Sequence, residues 1–275
     1  MPSSSTSSSA LTIRKLEYNE IEQAAQTLVE SFETDPFVVF CLPDPLSSKH
    51  ESSNSDQISP TVKTQRDAYI RALFYFMTYQ GTAYTIGDDY GCVAVWVPPG
   101  SQFVVTTWSL LRSGAWRVLY QIPIRGIRRT FMTSDAGAEA KKRALLPQSS
   151  NVTSFDKSST STSSTSTNIN NNNNNNNNNT PQIKNDYENH WYLAIIGTKK
   201  KSQNQGLAKT LIRHFTEKAD QAGIKCYLES TSRNNVEYVY KKAGFHVVEE
   251  IVLEDDGVTC TIFCMVRNPG AGPQP

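Results

Sequence analysis

Residues 191–222 contain the pattern that most constrains how this chain can fold. An apolar run rich in aromatic and β-branched residues extends from Trp191 to Ile196. Its length is typical of a strand buried on both faces. Gly197 and three consecutive lysines follow. Beyond them, apolar side chains recur at helical spacing: Leu207, Leu211, Phe215, Ala219 and Ala222. The pattern predicts a strand, a turn and a helix in direct succession.

The predicted turn is suited to bind an anion. The first N–H groups of a helix have no partner within the helix, and the helix dipole favours negative charge at that end. The turn matches neither the G-x-G-x-x-G fingerprint of dinucleotide folds nor the phosphate loop G-x-x-x-x-G-K-[ST]. It reads Gln203-x-x-Gly206-x-Ala208 instead. We therefore expect phosphate to bind to a loop of another type.

This turn resembles the pyrophosphate loop, Q/R-x-x-G-x-G/A, of the GNAT superfamily of acetyl-CoA-dependent N-acetyltransferases. Other segments resemble the puromycin N-acetyltransferase branch in order and spacing. They are His190-Trp191-Tyr192-Leu193, Gly197, Cys226-Tyr227-Leu228-Glu229-Ser230, Asn235-Val236, Tyr240, Gly244-Phe245 and, upstream, Phe32-x-x-Asp35-Pro36 and Ala94-Val95-Trp96-Val97-Pro98-Pro99-Gly100. The resemblance implies an α/β GNAT fold, with a mixed, mostly antiparallel sheet flanked by helices.

The same resemblance implies acetyl-CoA as co-substrate and indicates where it binds. Main-chain N–H groups of six loop residues would hold its pyrophosphate: Gln203, Asn204, Gln205, Gly206, Leu207 and Ala208. Ile196, Gly197 and Thr198 would pair with the pantetheine arm and place one N–H on the thioester oxygen. Asn235 completes the predicted cofactor site.

Two loop positions depart from the family pattern. Asn204 replaces a glycine and Lys200 replaces a proline. Asparagine tolerates left-handed backbone better than most residues, so we expect the loop geometry to be kept. The lysines at 199–201 leave two interpretations open: they attract the cofactor phosphates, or they belong to a solvated turn.

Acetyl transfer to an amine also needs a base and an acid. An alkylamine is mostly protonated at neutral pH, so a base must accept a proton. Glu229 is the candidate base, because it is placed where the fifth strand should separate from the fourth. Two alternatives remain: ordered water accepts the proton, or Glu229 has only a structural role. Tyr240 matches the tyrosine that protonates the leaving thiolate in this family. Asn235 precedes it by five residues instead of four, so a shifted register with Tyr238, or a packing role, stays open.

The rest of the chain gives the order of elements. A first strand lies within 11–16, and a helix begins at Glu20 and ends at Asp35-Pro36. Residues 37–45 form an apolar loop that either lines the acceptor pocket or packs on the core. A helix at 67–79 precedes paired strands at 82–86 and 92–97. Residues 103–146 are helical, broken by Gly114, Pro123 and Gly126. Strands at 225–230, 245–251 and 258–266 and a helix at 234–243 complete the order.

Composition predicts the domain boundaries. We expect one GNAT domain from residues 11–147 and 187–267, with a Pro/Gly tail at 268–275. Residues 1–10 are Ser-rich, and 148–186 are Ser/Thr/Asn-rich with an unbroken asparagine run at 170–179. Such low-complexity segments lack the apolar surface that offsets ordering entropy, so we expect disorder there and in a polar insertion at 47–61.

Charge and cysteine content exclude several classes. The chain has 27 basic and 26 acidic residues, so nothing electrostatic indicates nucleic acid. No apolar run approaches the ~20 residues of a membrane span. An odd number of cysteines without C-x-x-C is typical of a reduced, cytoplasmic protein, and the scattered histidines give no metal site. Residues 103–146 interleave aromatics and arginines; we expect packed aromatics and solvated arginines there.

The resemblance to the puromycin N-acetyltransferase branch implies an N-acetyltransferase that moves acetyl from acetyl-CoA to the amine of a small molecule. Two alternatives remain, because acceptor identity depends on variable loops and not on the fold. One is a protein or peptide N-acetyltransferase. The other is an acyl-CoA-binding module without catalysis.

Overall fold

A computed structural model describes residues 12–44, 58–101, 103–146 and 186–274. The strands are β1 (Arg14–Lys15), β2 (Thr82–Ile86), β3 (Cys92–Val97), β4 (His190–Thr198), β5 (Lys225–Ser230), β6 (His246–Asp255) and β7 (Val258–Arg267). The helices are α1 (Ile21–Phe32), α2 (Pro36–Cys41), α3 (Pro60–Gln80), α4 (Thr107–Ser113), α5 (Ile124–Leu145), α6 (Leu207–Ala222) and α7 (Arg233–Asn235). The predictions for residues 1–10, most of 47–61 and nearly all of 148–186 lie outside the described residues.

The strands form one sheet in the order β1-β2-β3-β4-β5-β7-β6. Only β4 and β5 pair in parallel; the other neighbours are antiparallel. The α6 helix connects the parallel pair, as a crossover between parallel strands requires. The predicted mixed, mostly antiparallel α/β architecture is confirmed.

Helices cover both faces of the sheet. On one face, Leu211 and Phe215 of α6 are fully buried against β3 and β4, and the Phe215 ring stacks on Trp96 at 4.8 Å between centroids. On the other face, α1 and α3 bury a second cluster around Leu28 and Phe74. Also on this face, α2 packs over β7, and α5 packs over β6 and β7. The predicted apolar stripe of α6 is confirmed except at Ala222, which is exposed because the helix ends there.

A β-bulge in β4 lies where β4 and β5 stop pairing. Val95 of β3 pairs with Ile195, but Trp96 pairs with Leu193, so Ala194 is the extra residue. Bulges increase local twist and bend a strand. The parallel pairing of β4 with β5 ends at Leu193 and Leu228, immediately before this bulge. The two strands therefore diverge at the position that the sequence predicted.

The α2 helix corrects the prediction of a loop at residues 37–45. The structure shows that Asp35-Pro36 begins α2, whereas α1 has already ended at Phe32. The Asp35 carboxylate caps α2 by accepting the Phe37 N–H at 2.9 Å, and Pro36 occupies the first helical position, where its missing N–H costs nothing. An Asp-Pro pair is compatible with a helix start as well as a helix end.

The segment 103–146 brings further corrections. Gly114 ends α4 with φ 75° and Pro123 precedes α5, as predicted. Gly126 does not break the helix but lies inside α5, where an added Cβ would come within 2.8 Å of Leu42. The buried face of α5 includes a cation, Arg129, which pairs with Asp255 at 2.8 Å instead of being solvated.

The prediction of packed aromatics in this segment is wrong for three of them. Trp108, Tyr120 and Phe131 are 65%, 83% and 42% exposed. A sequence pattern that mixes aromatics and arginines does not reveal which of the two types faces the core.

The ends of the predicted segments are held more firmly than composition suggests. Asp186, assigned by sequence to the insertion, forms an ion pair with Lys225 at 2.7 Å. In the predicted tail, the Gly270 N–H donates to Asp220 at 2.7 Å and the Gln274 N–H donates to the Lys241 carbonyl at 2.8 Å. Among the described residues no helix combines the length and apolar character needed to cross a bilayer.

Candidate active site

A cavity of about 640 Å³ opens where β4 and β5 diverge. Its floor consists of residues at the end of the parallel pairing, among them Leu193, Ile196, Leu228 and Glu229. Side chains from α3, α4 and α5 form the far wall, and Asn235 and Tyr240 approach from the side of α7. Four site residues predicted from sequence are therefore brought to one cavity: Ile196, Glu229, Asn235 and Tyr240.

The predicted pyrophosphate loop lies outside this cavity, on the exposed surface before α6. Gly206 caps the helix with φ 76° and ψ 9°, a left-handed conformation that favours glycine. An added Cβ at Gly206 would meet no atom within 4 Å, so the space in front of the helix is open. Asn204 also has a left-handed backbone, φ 62°, as its tolerance for that region predicts. The first N–H groups of α6 are thus available to an anion.

The lysines before this loop are paired with carboxylates. Lys199 and Lys201 both donate to Asp89, at 2.8 and 2.9 Å, and Lys200 donates to Glu33 at 2.7 Å. The two lysines hold the pKa of Asp89 at about 2 through hydrogen bonds and charge. Neutralised lysines attract phosphate less than free ones do, so the main-chain N–H groups remain the principal anion-binding feature here.

The last residues of β4 present a free strand edge. Ile196, Gly197 and Thr198 pair with β3 on one side, and within the described ranges no strand pairs with them on the other. Helix α1 packs closely against Gly197, because an added Cβ at this residue would lie 2.7 Å from the Ser31 hydroxyl oxygen. That hydroxyl donates to the Thr198 carbonyl at 2.9 Å. Unpaired N–H and C=O groups in a row can bind an extended ligand as an added strand would.

Glu229 lies at the divergence of the strands, with one carboxylate oxygen engaged and one directed at α5. The Tyr192 hydroxyl donates to Glu229 Oε2 at 2.6 Å. An added Cβ at Gly137 of α5 would lie 3.3 Å from Oε1, so glycine at that position allows the helix to approach the carboxylate. Burial and the Glu229 charge raise the pKa of Tyr192 well above its usual range. Tyr192 therefore remains a donor that fixes the position of Glu229.

Tyr240 is buried, with 7% of its surface exposed, and it lines the cavity. Its hydroxyl has no hydrogen-bond partner among the residues that the structure describes. Burial is the first cause that raises the pKa of Tyr240, and the nearby charge of Asp35 is the second. The phenol is consequently protonated at neutral pH and free to donate into the cavity. The alternative, Tyr238, is 76% exposed and absent from the cavity lining.

A π-turn explains the extra residue between Asn235 and Tyr240. The backbone from Val236 to Tyr240 forms a π-helical turn, in which the Lys241 N–H donates to Val236 five residues earlier. Such turns accommodate one additional residue in a helix and are frequent at functional sites. Asn235 and Tyr240 both line the cavity despite their unusual spacing, so the departure from the family pattern does not remove either residue from the site.

Three charged residues that line the cavity were not identified as site residues from sequence: Asp35, Lys141 and the exposed Asp135. Asp35 is half-buried between the ends of α1, α2 and β5. It accepts the Thr231 hydroxyl at 3.1 Å, and loss of solvent around its carboxylate raises its pKa. Lys141 of α5 is 8% exposed, and its ammonium lies 4.3 Å from the centre of the Tyr192 ring. Asp35 was noticed only within a family motif. Lys141 gave no sequence signal, because it is followed by Lys142 and Arg143, a pattern typical of a solvated helix end.

Comparison with known proteins identifies relatives of this sequence. Residues 181–265 match the family model described as an acetyltransferase (GNAT) domain. This range runs from before β4 to near the end of β7. An uncharacterised N-acetyltransferase of Schizosaccharomyces pombe is 25% identical over 257 residues, covering 93% of this chain and 83% of the relative.

Solved structures with a similar chain path are more distant. A structure titled histone acetyltransferase HPA2 and related acetyltransferase, from Corynebacterium glutamicum, is 18% identical with a TM-score of 0.48, covering 95% of this chain and 97% of its own. Arylalkylamine N-acetyltransferase 2 of Aedes aegypti is 12% identical with a TM-score of 0.48, covering 94% and 99%.

Proposed function

We propose that this acetyl-CoA-dependent acyltransferase belongs to the GNAT superfamily, whose domain model matches residues 181–265, and that it acetylates the amine of a small molecule. The observation that carries this proposal is the cavity at the strand divergence. It has walls of apolar side chains from α3 and α5, such as Phe76 and Ile127, beside Glu229 and Tyr240. A pocket walled by helices suits a compact amine, whereas a polypeptide acceptor requires an open groove.

The described residues fit acetyl-CoA at two places, and its role there is to supply the acetyl thioester. Residues 203–208 would hold the pyrophosphate through the N–H groups in front of α6, where Gly206 leaves open space. The free edge of β4 at residues 196–198 would pair with the pantetheine arm and direct one N–H at the thioester oxygen. Asn235, at the cavity rim, completes this proposed set.

Two side chains would move the protons. Glu229 would accept a proton from the attacking amine, directly or through water, while its other oxygen is held by Tyr192. Tyr240 would donate its hydroxyl proton to the sulfur as the thiol leaves. The two groups approach one cavity from different elements, β5 and the π-turn after α7. Proton removal and proton donation would thus belong to groups on two different elements.

We also propose that the chain is related to the puromycin N-acetyltransferase branch and works in the cytosol. The Phe32-x-x-Asp35-Pro36 segment forms the junction of α1 and α2, and Phe32, Asp35 and Phe37 all line the cavity. The five cysteines are free and buried, which suits a reducing compartment.

The test is turnover of acetyl-CoA by the purified protein, followed by thiol release. The panel contains apolar and aromatic primary amines, puromycin, and peptides with free N-termini or lysines. We expect release with small amines well above the rate with protein alone. Release only with peptides would favour the protein-acetyltransferase alternative, and tight acetyl-CoA binding without turnover of any acceptor would favour the non-catalytic one.

A further inference from the structure

Two cations lie on the buried face of α5, and only one of them is satisfied. Arg129 donates to Asp255, to the Asp255 carbonyl and to the Phe40 carbonyl at 2.6–2.8 Å. Lys141, three turns further along the same face, has no hydrogen bond or ion pair within the described ranges. A buried charge is costly unless it is paired. The difference indicates that Lys141 is held for a partner that is not part of the protein.

Aromatic rings hold the Lys141 ammonium without satisfying its donors. The ammonium nitrogen lies 4.3 Å from the Tyr192 ring centre, 5.8 Å from that of Phe103 and 6.0 Å from that of Tyr227. Ring faces attract a cation, but they offer no oxygen to the three N–H groups of an ammonium. Burial lowers the pKa of Lys141, and the charge of Glu229 opposes that effect. An oxygen-bearing anion would satisfy the donors and keep the ammonium charged.

The cavity places this cation and an anion beside one ring, the cation at its face and the anion at its hydroxyl. The Lys141 ammonium lies over the face of Tyr192, whose hydroxyl donates to Glu229. Lys141 is the only cationic side chain in the described cavity lining, and the rest of the wall is mainly apolar. A ligand with an amine near Glu229, a carboxylate near Lys141 and an apolar body matches all three features.

We propose that Lys141 binds a carboxylate of the acceptor, so that the substrate is an amino acid with an apolar or aromatic side chain. This inference rests on the proposed small-molecule acetyltransferase function and specifies its substrate class. A carboxylate bound to the ammonium would form charge-assisted hydrogen bonds. Lys141 is thus a specificity residue that binds the acceptor, distinct from the groups that move protons.

The test compares acceptors that differ only in the carboxylate. Thiol release is measured with L-phenylalanine against 2-phenylethylamine and with L-tryptophan against tryptamine. In the wild type we expect kcat/KM to favour the amino acid by on the order of 10- to 100-fold, the effect of a hydrogen bond to a charged group. In Lys141→Met this preference should fall to about one.

Lys142→Met is the matched control, because Lys142 is the exposed neighbour on the same helix. It removes the same formal charge and should keep the preference for the amino acid. An equal or higher kcat/KM for the decarboxylated amines in the wild type would overturn the role of Lys141 while leaving the acetyltransferase function intact. Absence of turnover with every amine and amino acid would instead contradict the proposed function itself. Neither outcome depends on whether the Lys141 variant folds.

Discussion

Tyr240 shows how a single hydroxyl can be prepared for proton donation. Its ring packs edge-on against Phe245, with centroids 6.3 Å apart, and belongs to the core beside α6. Packing fixes the ring, while the hydroxyl faces the cavity without a protein partner in the described part of the chain. Burial raises the pKa of the phenol. The packing role and the proposed acid role are therefore compatible in one side chain.

The Tyr240→Phe variant separates these two roles. It keeps the ring and its contacts and removes only the proton donor. We expect kcat to fall by about 10²- to 10⁴-fold, the usual contribution of general acid–base catalysis. The acetyl-CoA dissociation constant should stay within about threefold, because the lost interaction is made chiefly in the transition state.

Tyr238→Phe provides the matched control, since Tyr238 lies two residues earlier and is exposed. It should retain wild-type turnover. Normal turnover in Tyr240→Phe would assign proton donation to another group, and a large loss of thermal stability in that variant would indicate a role in packing.

Gly206 determines whether an anion can approach the first turn of α6. A Gly206→Glu change introduces bulk and negative charge in front of the helix, at a left-handed position that costs about 1–2 kcal/mol for most residues with a side chain. Acetyl-CoA at a concentration 100 times its dissociation constant should stabilise the wild type by about 2.7 kcal/mol and raise its melting temperature. We expect the variant to lose this rise.

Gly257→Glu controls for the conformational cost in this experiment. Gly257 has φ 73°, lies in the turn between β6 and β7, and an added Cβ there meets no atom within 4 Å. This variant should still be stabilised by acetyl-CoA. Equal stabilisation of Gly206→Glu and the wild type would show that the pyrophosphate binds elsewhere.

At the scale of elements, the sequence predicted the strands better than the contacts between helices. Strands β2, β3 and β5 begin and end at the predicted residues, because apolar runs are bounded by turn residues. Helix α2 was missed because Asp35-Pro36 suits either end of a helix. The pairing of Arg129 with Asp255 joins residues 126 positions apart, and no local pattern reveals such a contact.

The same distinction holds within the candidate site. Glu229, Tyr240 and the loop at 203–208 were predicted through motif positions, and the fold places Glu229 and Tyr240 at one cavity. Lys141 and the π-turn were not predicted. The cavity wall that buries Lys141 includes Tyr192 and Phe103, which are distant in sequence. A π-turn depends on one N–H choosing the fifth preceding carbonyl over the fourth, and tertiary packing determines that choice.

His190, the first residue of β4, should make the folded protein less stable at acidic pH. His190 is buried, and its Nδ1 lies 3.2 Å from the Asp186 carbonyl. Burial, followed by the charge of Lys141, lowers the pKa of His190 to about 4 from about 6.5. Above pH 6.5 this group is neutral in both states and its contribution to stability is complete. Below that pH the unfolded chain gains a proton that the folded chain refuses, so stability is lost as the pH falls towards 4.

Urea unfolding at pH 7.5, 6.0 and 5.0 measures this effect. For the wild type, we expect the His190 contribution to reduce the free energy of unfolding by up to about 1.4 kcal/mol per pH unit below pH 6.5. His190→Gln retains a polar side chain that can meet the Asp186 carbonyl but cannot be protonated. Its free energy of unfolding should fall less steeply over the same range. Parallel pH profiles for the two proteins would show that His190 does not titrate in this way.

At the scale of the whole molecule, the sheet is built from two parts of the chain that the low-complexity segment separates. Strands β1, β2 and β3 precede that segment, and β4 to β7 follow it. The contact between β3 and β4 joins them along the centre of the sheet, and α5 packs against β6 and β7. Both halves therefore contribute to one core, and the cavity has walls from each.

This arrangement predicts that residues 148–185 can be removed without loss of the fold. Their composition offers almost no apolar surface to a core, and they lie outside the described residues. We propose joining the flanking chain ends with a short flexible linker. Because loop closure costs only about 0.6 kcal/mol per doubling of length, the shortened protein should be as stable as the wild type or more stable by about 1 kcal/mol. Urea unfolding should remain cooperative with an unchanged m-value, and acetyl-CoA should still raise the melting temperature. Since β3 and β4 pair through residues on both sides of the deletion, loss of either property would show that the segment itself supports the contact between the two halves.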